Sequence, residues 1–561
     1  MTLKKRLTAV GLVALAAVFT VGIARTGRQM SEKKESGIFA GGKETLYLWY
    51  TDEALTSYLS SAAVVYSEDH DVRIVPVLES GAEYLEKINQ ASLESNAPDL
   101  YVISHDSLEK ASLAGLADEV HPPAGAVMDE LYMGTGLQAA TYRDKIIGYP
   151  FYFETSALLY NKTYLRDIAT DQLEAEADLA EGEAAQQEHD ANLEAGQTPE
   201  PVQESDSSSG AAQAGRENPS GSEDGTGAET ASQNPSGEGT ASVEGADSSD
   251  ESAEAADPQS RFSEEEIEAR IQEILPATIQ DIQTFADNYD APEQVEGVFK
   301  WDVTDIFYNY FFVGDAIDMG GDAGWDTGRI DIYNLDAIGN MRVYQALNQF
   351  FSIETSQSDY DAILNEFMEG KLVFTIATTD AVFRLEHAGD DGLFAYDYGI
   401  ALTPDIDPEK KSRSLSMTGC VAVNGYSEHK RAANDFACFL TSEYNDILFG
   451  RTGKVSAARG VDYGYEALGQ FAQEYERSIS MPKMLETSNF WVKLEVVFSQ
   501  IWNGADANEK LKELSEQIME QVTGEAFEEE YLEEPVEEES EETDDDAQED
   551  DEASDGEMPQ G

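Results

Sequence analysis

The spacing of apolar residues divides the first third of the chain into β-prone runs that alternate with helix-like stretches. Strands are predicted over Glu44–Tyr50, Val72–Leu78 and residues 99–103, and helices over residues 54–65 and 82–93. Because consecutive strands are separated by helices, the pattern predicts an α/β lobe built around a largely parallel sheet.

Polar and aromatic residues stand where the predicted strands of this lobe end. Trp49 and Asp52 close the first strand, and Asp106 follows the third. In open α/β sheets, ligands bind at the carboxyl ends of the strands. We therefore expect Trp49, Asp52 and Asp106 on one rim of the first lobe.

Residues 141–165 join two strand-like runs without a polar linker. Gly148 and Pro150 interrupt the pattern, because proline cannot donate a ladder hydrogen bond and restricts the residue before it. The sequence therefore predicts a turn here, acting as a hinge between two sheets. Tyr149 and Glu154 would lie at the crossing, where a cleft between lobes offers a ligand site.

A second α/β lobe is predicted from residue 262 onward. Helical periods occur over residues 276–289, 336–351, 359–368 and 487–522, and strands over residues 371–376, 398–402 and 420–424. Trp301, Asp302 and Tyr308 belong to the most aromatic segment of the chain, residues 298–312. Asp380 follows the strand at 371–376, and Trp491 lies in the last helical pair.

Two acidic segments lack any pattern that could form a core. Residues 169–261 are rich in Ser, Gly, Glu, Ala and Gln, and residues 524–561 form an acidic tail. The two segments carry more than half of the net charge of −75. Because such segments bury too little apolar area to offset their ordering entropy, a disordered insertion and a disordered tail are expected. The acidic balance disfavours nucleic acid and anionic lipid as partners.

The amino terminus has the pattern of an export signal. Lys4, Lys5 and Arg6 precede an uncharged apolar run that ends at Arg25. Residues 1–28 are therefore predicted to be a signal peptide or a retained membrane anchor. No cysteine lies near the end of the run, which excludes a lipid-anchored amino terminus of the bacterial lipoprotein kind.

Cys420 and Cys438 are the two cysteines of the chain. A strand, turn and helix between them would bring both to the same end of the lobe, so a disulfide is geometrically possible. Two buried thiols fit the sequence as well, because cysteine is a common core residue.

The sequence contains no phosphate-binding loop, dinucleotide fingerprint, metalloprotease motif or Cys/His cluster. No catalytic residue, metal site or cofactor is therefore predicted. Aromatic residues instead recur beside carboxylates and amides at strand ends and in loops. Sugars present flat C–H faces for stacking and hydroxyls for hydrogen bonds, so this combination indicates carbohydrate binding. Any single tryptophan is more often a core residue, and Glu154 or Asp380 fits a capping role equally well.

Several stretches in order resemble the extracellular solute-binding proteins of ABC importers, most closely the maltose-binding type. These stretches are LYLWYTDE, IGYPFYFETSALLYNKTYL, EFMEGKLVFTIATTD, CVAVNGYSEHKRAANDFACFL and MPKMLETSNFWVKLEVVFSQIWNGA. The resemblance implies a two-lobed periplasmic-binding-protein fold of the second type. The first lobe would comprise residues 43–150 and 400–447, and the second residues 151–168, 262–399 and 448–523.

The resemblance also assigns ligand-binding positions in the cleft. Asp380 stands where the family often has an aromatic platform, which is a departure, as are the acidic insertion and the absent lipid-attachment cysteine. The positions implied are Trp49, Asp52, Asp106, Tyr149, Glu154, Trp301, Asp302, Tyr308, Asp380 and Trp491.

The resemblance implies a monomeric, non-catalytic receptor outside the cytoplasmic membrane that delivers a sugar or oligosaccharide to permease subunits. Two other classes remain open. A glycan-active enzyme would need two carboxylates facing one scissile bond, and a surface sensing or adhesion protein would keep the fold without transport. A polyamine or another cationic ligand also fits an acidic cleft.

Overall fold

The computed structural model describes residues 43–93, 97–194, 261–353 and 358–534, with side chains described as far as residue 187 in the second range. The predicted signal peptide or anchor at 1–28, residues 195–260 of the insertion and residues 535–561 of the tail lie outside the described residues. Within the described ranges, no helix combines the length and apolar character that a membrane span requires.

The described chain alternates strands with helices, as the hydrophobic pattern predicts. The strands are β1 Glu44–Tyr50, β2 Val72–Leu78, β3 Leu100–Ser104, β4 Thr141–Tyr142, β5 Lys145–Ile146, β6 Tyr149–Asn161, β7 Gly297–Phe299, β8 Asp318–Met319, β9 Ile330–Asp331, β10 Leu372–Thr378, β11 Tyr398–Ala401, β12 Leu415–Val423, β13 Val455–Ser456 and β14 Ile479–Ser480. The helices are α1 Thr56–Asp69, α2 Tyr84–Leu93, α3 Leu108–Leu113, α4 Met128–Leu131, α5 Gly134–Ala139, α6 Lys162–Glu194, α7 Glu264–Ile274, α8 Ile279–Asn288, α9 Ile306–Asn309, α10 Leu335–Phe351, α11 Tyr360–Met368, α12 Asp380–Asp390, α13 Lys430–Cys438, α14 Leu448–Thr452, α15 Glu466–Arg477, α16 Phe490–Trp502 and α17 Ala507–Thr523.

One sheet runs through both lobes in the order β2-β1-β3-β12-β6-β10-β7. In the first lobe β1 is parallel to β2 and β3, and β12 is antiparallel to β3. In the second lobe β10 pairs with β7 in parallel and with β6 antiparallel. The fold is therefore the two-lobed α/β architecture that the sequence predicts, with its lobes joined through a shared strand.

Strand β6 is the element that passes between the lobes. It pairs with β12 as far as Thr155, and from Ser156 onward with β10. The turn predicted at Pro150 does not occur. Cys420 pairs with Pro150 while its neighbour on β12 pairs with Tyr152, so Phe151 is one residue in excess and forms a bulge. A bulge accommodates proline within a strand because it already interrupts the ladder.

Each lobe has its own apolar core. The first-lobe core contains Leu46, Leu48 and Tyr58, and the second-lobe core contains Trp301 and Phe374. The expected second-lobe segment starts at residue 448, yet α14 packs on α1 and β13 pairs with residues 152–153 of β6. Leu448 belongs to the first-lobe core, whereas Phe449 and Val455 cluster with Phe367 and Leu372 of the second lobe. Residues 448–456 therefore contact both lobes.

Helix α6 extends far into the segment predicted to be disordered from residue 169. Arg270 of α7 forms a bidentate ion pair with Glu176 of α6, at 2.7 and 2.8 Å. Arg261 lies 2.9 Å from Asp178. The prediction is wrong for residues 169–187, because Ala, Glu and Gln favour helix and because Arg261 and Arg270 form ion pairs with acidic side chains of α6.

The beginning of the predicted tail also contacts the second lobe. The backbone N–H of Leu532 donates to the Tyr333 hydroxyl at 2.9 Å, and Asn508 donates to the Leu532 carbonyl at 2.9 Å. Glu534 forms an ion pair with Arg342. Residues 525–534 are therefore part of the folded unit, in contrast to the expected boundary at residue 524.

Both cysteines are free and buried. Of the two alternatives that the sequence leaves open, the structure supports two buried thiols. Cys420 belongs to β12, and Cys438 ends α13. Burial raises the pKa of the Cys420 thiol to about 12, so this thiol stays protonated at physiological pH.

Candidate functional site

The floor of the candidate site is one face of β6 at the crossing between the lobes. Tyr152 and Glu154 are two residues apart and therefore point to the same face of the strand. Tyr152 lies opposite Gly419 of β12, and its ring occupies the space that a side chain at 419 would need. Both Tyr152 and Glu154 are half-buried. The crossing strand thus offers an aromatic ring and a carboxylate to the cleft.

The first lobe contributes an ion pair to this floor. Asp52 ends the loop after β1, where its carboxylate accepts from the backbone N–H of Ala54 at 2.9 Å. Lys454 Nζ lies 2.6 Å from Asp52 Oδ2 and 4.6 Å from the centre of the Tyr152 ring. Burial alone would raise the pKa of Asp52, but the hydrogen bond and charge of Lys454 outweigh it, so the pKa is lowered. Asp52 is therefore a carboxylate held beside an aromatic floor.

Glu154 occupies a strongly negative environment. Burial and the charge of Asp380 raise the pKa of Glu154, and Lys454 only partly opposes them. Among the described residues, no group donates a hydrogen bond to its carboxylate. A half-buried carboxylate with free acceptor sites at a cleft floor is suited to accept hydrogen bonds from a ligand.

The second lobe contributes a group of linked tyrosine and carboxylate side chains. Tyr308 stacks on Tyr360 with ring centres 4.8 Å apart. The Tyr360 hydroxyl donates to Asp380 Oδ1 at 2.9 Å, and Thr378 donates to the same oxygen. Arg384 lies 3.6 Å from the other oxygen of Asp380. The carboxylate of Asp380 is therefore fixed in position at the start of α12.

Asp305 and Glu495 form a second acidic pair on this side of the cleft. Asp305 caps α9 by accepting from the backbone N–H of Phe307 at 2.8 Å. Burial raises the pKa of Asp305, and the charge of Asp302 adds to this. Burial and the charge of Asp305 likewise raise the pKa of Glu495 on α16. Trp491 lies one turn before Glu495, half-buried, with its ring edge-on to Tyr310 at 5.4 Å.

Three of the residues predicted to bind ligand have structural roles instead. Tyr149 is fully buried and donates to Asn434 at 2.8 Å in the first lobe. Trp301 is also fully buried, where its indole N–H donates to Asn309 at 2.8 Å. The buried carboxylate of Asp302 accepts from the backbone N–H groups of Thr304 and Tyr360. These side chains organise the two lobes and do not line the cleft.

Trp49 and Asp106 lie on the first lobe. Among the described residues, they take no part in the contacts that join Asp52 to Glu154. Trp49 packs, partly buried, against the apolar cluster around Tyr101. One carboxylate oxygen of Asp106 is buried without a hydrogen-bond partner among the described residues. The structure therefore brings together Asp52, Glu154, Tyr308 and Asp380, and places Trp491 on the adjacent wall.

Several residues of the site are not singled out by the sequence prediction, among them Tyr152, Asp305 and Lys454. Tyr152 could have been found from the two-residue alternation that places it beside Glu154. Asp305 could have been found from its position before the aromatic turn at 306–309. Lys454 follows Gly453 in a loop, and no local sequence signal connects it to Asp52, because the contact depends on tertiary packing.

Within the described ranges, no group of three or more His, Cys, Asp or Glu side chains is arranged to hold a metal ion. The carboxylates of the cleft are instead spread over both lobes and the crossing strand. Their arrangement suits hydrogen bonding to a ligand of some size.

Comparison with known proteins addresses the fold. No known family model matches the sequence. The galactooligosaccharide-binding protein of Bacillus subtilis is 25% identical over 153 residues, which are 27% of this chain and 35% of that relative. The matched stretch thus spans about a third of the length of the curated relative.

Solved structures match over much more of the chain. A cyclo/maltodextrin-binding protein complexed with maltotetraose has a TM-score of 0.58 at 17% identity, covering 88% of this chain and all of that one. The extracellular solute-binding protein of Staphylococcus aureus in complex with maltose has a TM-score of 0.58 at 16% identity, covering 87% and 99%. The maltose-binding periplasmic protein of Listeria monocytogenes has the same score and identity, covering 87% and 100%. These likenesses confirm the two-lobed solute-binding-protein fold.

Proposed function

Because the chain has the two-lobed fold of extracellular solute-binding proteins, we propose that it is an extracytoplasmic receptor for a sugar or oligosaccharide. The ligand binds in the cleft between the lobes, and the loaded receptor delivers it to the permease subunits of an ABC importer. The observation that carries this proposal is the position of Tyr152 and Glu154. Both are half-buried on the strand that passes from one lobe to the other.

The side chains of the cleft match the chemistry of a sugar. A pyranose ring can stack on Tyr152 or Trp491, since its C–H groups are attracted to aromatic faces. Its hydroxyls can donate to the carboxylates of Glu154 and Asp380. The relatives support this ligand class, since those compared bind maltose, maltotetraose or galactooligosaccharide according to their descriptions.

An amine-bearing ligand is a second candidate, and the charge of the cleft favours it. Five carboxylates lie in or beside the cleft, and two cations accompany them: Asp52, Glu154, Asp305, Asp380 and Glu495, with Lys454 and Arg384. The surplus of negative charge would attract an amino sugar or a polyamine. Anionic sugars would be repelled by the same field.

We test the proposal by screening the purified chain against maltooligosaccharides, galactooligosaccharides, amino sugars and polyamines by isothermal titration calorimetry. Replacement of Glu154 by Gln removes an acceptor with little change in shape. We expect Glu154→Gln to weaken binding about tenfold or more, since hydrogen bonds to charged groups contribute about 1.5–3 kcal/mol. Glu86→Gln is the matched control, because Glu86 pairs with Lys110 on the exposed surface of the first lobe.

The same samples distinguish a receptor from a glycan-active enzyme. Each ligand that binds is incubated overnight with the chain and then analysed by mass spectrometry. Recovery of intact ligand is the expected result. Cleavage that disappears in Glu154→Gln or Asp380→Asn would overturn the receptor and assign a hydrolase.

A further inference from the structure

A hairpin of the second lobe reaches across to the first lobe. The hairpin is formed by β8, β9 and the loop between them, residues 318–331, and we call it the strap. Its base lies in the second lobe, where Met319 belongs to the apolar core and Ile330 packs against it. Its tip packs on the first lobe, where the Trp325 ring meets Tyr142 edge-on at 5.9 Å. The strap therefore spans both lobes.

Lys483 fastens the strap to the first lobe. This side chain is 2% exposed. Its Nζ donates to the carbonyls of Thr141 at 2.9 Å and Gln138 at 3.3 Å in the first lobe, and to the carbonyl of Ala323 in the strap. As an ammonium group it has three N–H donors, one for each of these carbonyls, and as a neutral amine it keeps two. Its own backbone N–H adds a bond to Gly324 at 2.8 Å.

The segment that carries Lys483 is itself held against the first lobe. The ring Nε2–H of His105 donates to the carbonyl of Met481 at 2.8 Å, since the other ring nitrogen accepts from the backbone N–H of Thr418. Glu109 accepts from the backbone N–H of Leu485 at 2.7 Å and from the Tyr142 hydroxyl at 2.9 Å. The same Tyr142 ring contacts the tip of the strap. The strap, Lys483 and the first lobe thus form one contiguous contact.

The strap also depends on close backbone approach. Gly324 has a φ of +64°, and a Cβ at this position would lie 2.9 Å from the Cα of Pro482. A side chain there would separate the strap from the segment that carries Lys483. The contact is therefore built at backbone level and does not rest on a flexible side chain alone.

We infer that Lys483 is a positioning residue that ties the strap to the first lobe and makes the tie between the lobes dependent on pH. Release of the strap breaks the bonds from Lys483 to Ala323 and Gly324 and exposes its ammonium group to water. This pH dependence is a property of the ligand-free protein, so it does not depend on which ligand binds in the cleft.

The direction of the pH dependence follows from linkage. Burial lowers the pKa of Lys483 to about 7 in the tied state. After release the pKa returns toward about 10.4, the value of an exposed lysine. Between these values the released state binds more protons, so raising the pH favours the tied state, by about tenfold in the tied-to-released ratio per pH unit. Below pH 7 both states are protonated and the ratio is constant.

Other titratable groups face Lys483 from the neighbouring elements. Cys420 on β12 keeps its proton, since burial raises its pKa to about 12. Burial and the charge of Lys483 lower the pKa of His105 to about 4, so its ring is neutral from pH 7 to 9. Glu109 and Asp106 supply the negative charges nearest to this group. Tyr142 has a raised pKa, first through burial and then through Glu109.

Hydrogen exchange of the ligand-free full chain tests this inference. The reporter is the Lys483 amide, followed in peptides over residues 481–487 from pH 7 to 9, and the reference is the surface turn at 389–392. Intrinsic exchange accelerates about tenfold per pH unit, and reference amides should follow it. If each opening takes up one proton, the Lys483 amide should exchange at a nearly constant rate, because opening becomes about tenfold rarer per pH unit.

Two variants remove the titration in different ways. Lys483→Met has no charge, and Lys483→Arg keeps its charge throughout the range, so in both the reporter should accelerate about tenfold per pH unit like the reference. Lys110→Met is the control, because Lys110 is an exposed lysine paired with Glu86, and it should keep the flat profile of the wild type. A wild-type reporter that accelerates in step with the reference overturns the inference, even if both Lys483 variants fail to fold.

Discussion

The Tyr152 ring lies over Gly419, so close that a Cβ at residue 419 would stand 2.3 Å from the ring Cζ atom. The absence of a side chain at residue 419 therefore leaves room for the ring on the floor of the cleft. Tyr160 and Gly399 have the same relationship farther along β6, where a Cβ would stand 2.1 Å from Tyr160 Cζ. That second pair lies in the second lobe, away from the cleft contacts.

These two glycines form a matched pair for mutation. Gly419→Ala should displace the Tyr152 ring and weaken ligand binding by about 1–3 kcal/mol, because the aromatic floor is lost. Gly399→Ala should destabilise the fold by a similar amount, since overpacking typically costs about 1–3 kcal/mol, and leave affinity within about twofold. Calorimetry and chemical denaturation of both variants check this. Equal losses of affinity in the two variants would contradict the assignment of Tyr152 to the floor.

The ionisation of Glu154 gives a prediction about stability and pH. Burial and the charge of Asp380 raise its pKa in the folded protein above the unfolded value of about 4.3. The protonated form therefore stabilises the fold below that unfolded value, and the benefit is lost as the pH rises through the raised folded pKa. Glu154→Gln stays neutral, so at pH 7 it should be more stable than the wild type, by roughly 1 kcal/mol, which is the typical size of a single-substitution effect.

Urea denaturation from pH 3 to 8 measures this difference. The stability gain of Glu154→Gln should shrink as the pH falls through the raised folded pKa, and it should be gone below about 4, where the wild-type carboxyl is neutral in both states. Glu86→Gln should show the opposite sign, because the hydrogen bond to Lys110 lowers the pKa of Glu86. A Glu154→Gln variant less stable than the wild type at pH 7 would show that the charged carboxylate has a stabilising partner.

The two tryptophans predicted as sugar platforms should now behave differently. Trp301 is enclosed between Phe299 and Trp502 in the second-lobe core. Trp301→Ala should therefore cost about 3–5 kcal/mol of stability. Trp491 is half-buried beside the acidic wall, so Trp491→Ala should weaken binding by about 1–3 kcal/mol with a smaller effect on stability. Unfolding of Trp491→Ala at room temperature would assign that side chain to the core as well.

The first residues of the acidic tail should contribute to stability. Truncation after Gly524 removes the bonds of Leu532 and Glu534 to the second lobe and should cost about 1–3 kcal/mol, as expected for a few partly exposed hydrogen bonds. Truncation after Glu534 keeps them and is the control. Thermal denaturation of the two truncated chains compares them. Identical melting temperatures would mean that residues 525–534 contribute nothing to the fold.

Much of the fold could be predicted from hydrophobic period, because both lobes follow the strand–helix alternation closely. The exceptions have physical reasons. Pro150 indicates a turn by local rules, but the bulge at Phe151 lets the strand continue. The acidic segment after residue 168 has too few apolar residues to predict a core, yet Arg261 and Arg270 form ion pairs with it. Local composition gives no information about a partner that is distant in the sequence.

The candidate site was predictable in part. Asp52, Glu154 and Asp380 stand at strand ends or at the crossing, and the structure brings these three together. The sequence prediction names Tyr149 and not Tyr152, although the two-residue alternation from Glu154 places Tyr152 on the same face of the strand. Trp301 is predicted to bind ligand but lies in the core, because the sequence pattern of an aromatic residue beside a carboxylate is the same in a core and in a binding site.

The central claim is that a glycan binds at Tyr152 and Glu154 between the lobes without being consumed. Titration of a binding glycan into the wild type, Tyr152→Ala and the surface control Tyr426→Ala tests it most directly, with unfolding followed in parallel. At about one hundred times its dissociation constant, the glycan should stabilise the wild type and Tyr426→Ala by about 2.7 kcal/mol. Tyr152→Ala should lose most of that gain at the same concentration while remaining folded. Full stabilisation of Tyr152→Ala, or no stabilisation of the wild type by any glycan or amine in the panel, would contradict the account.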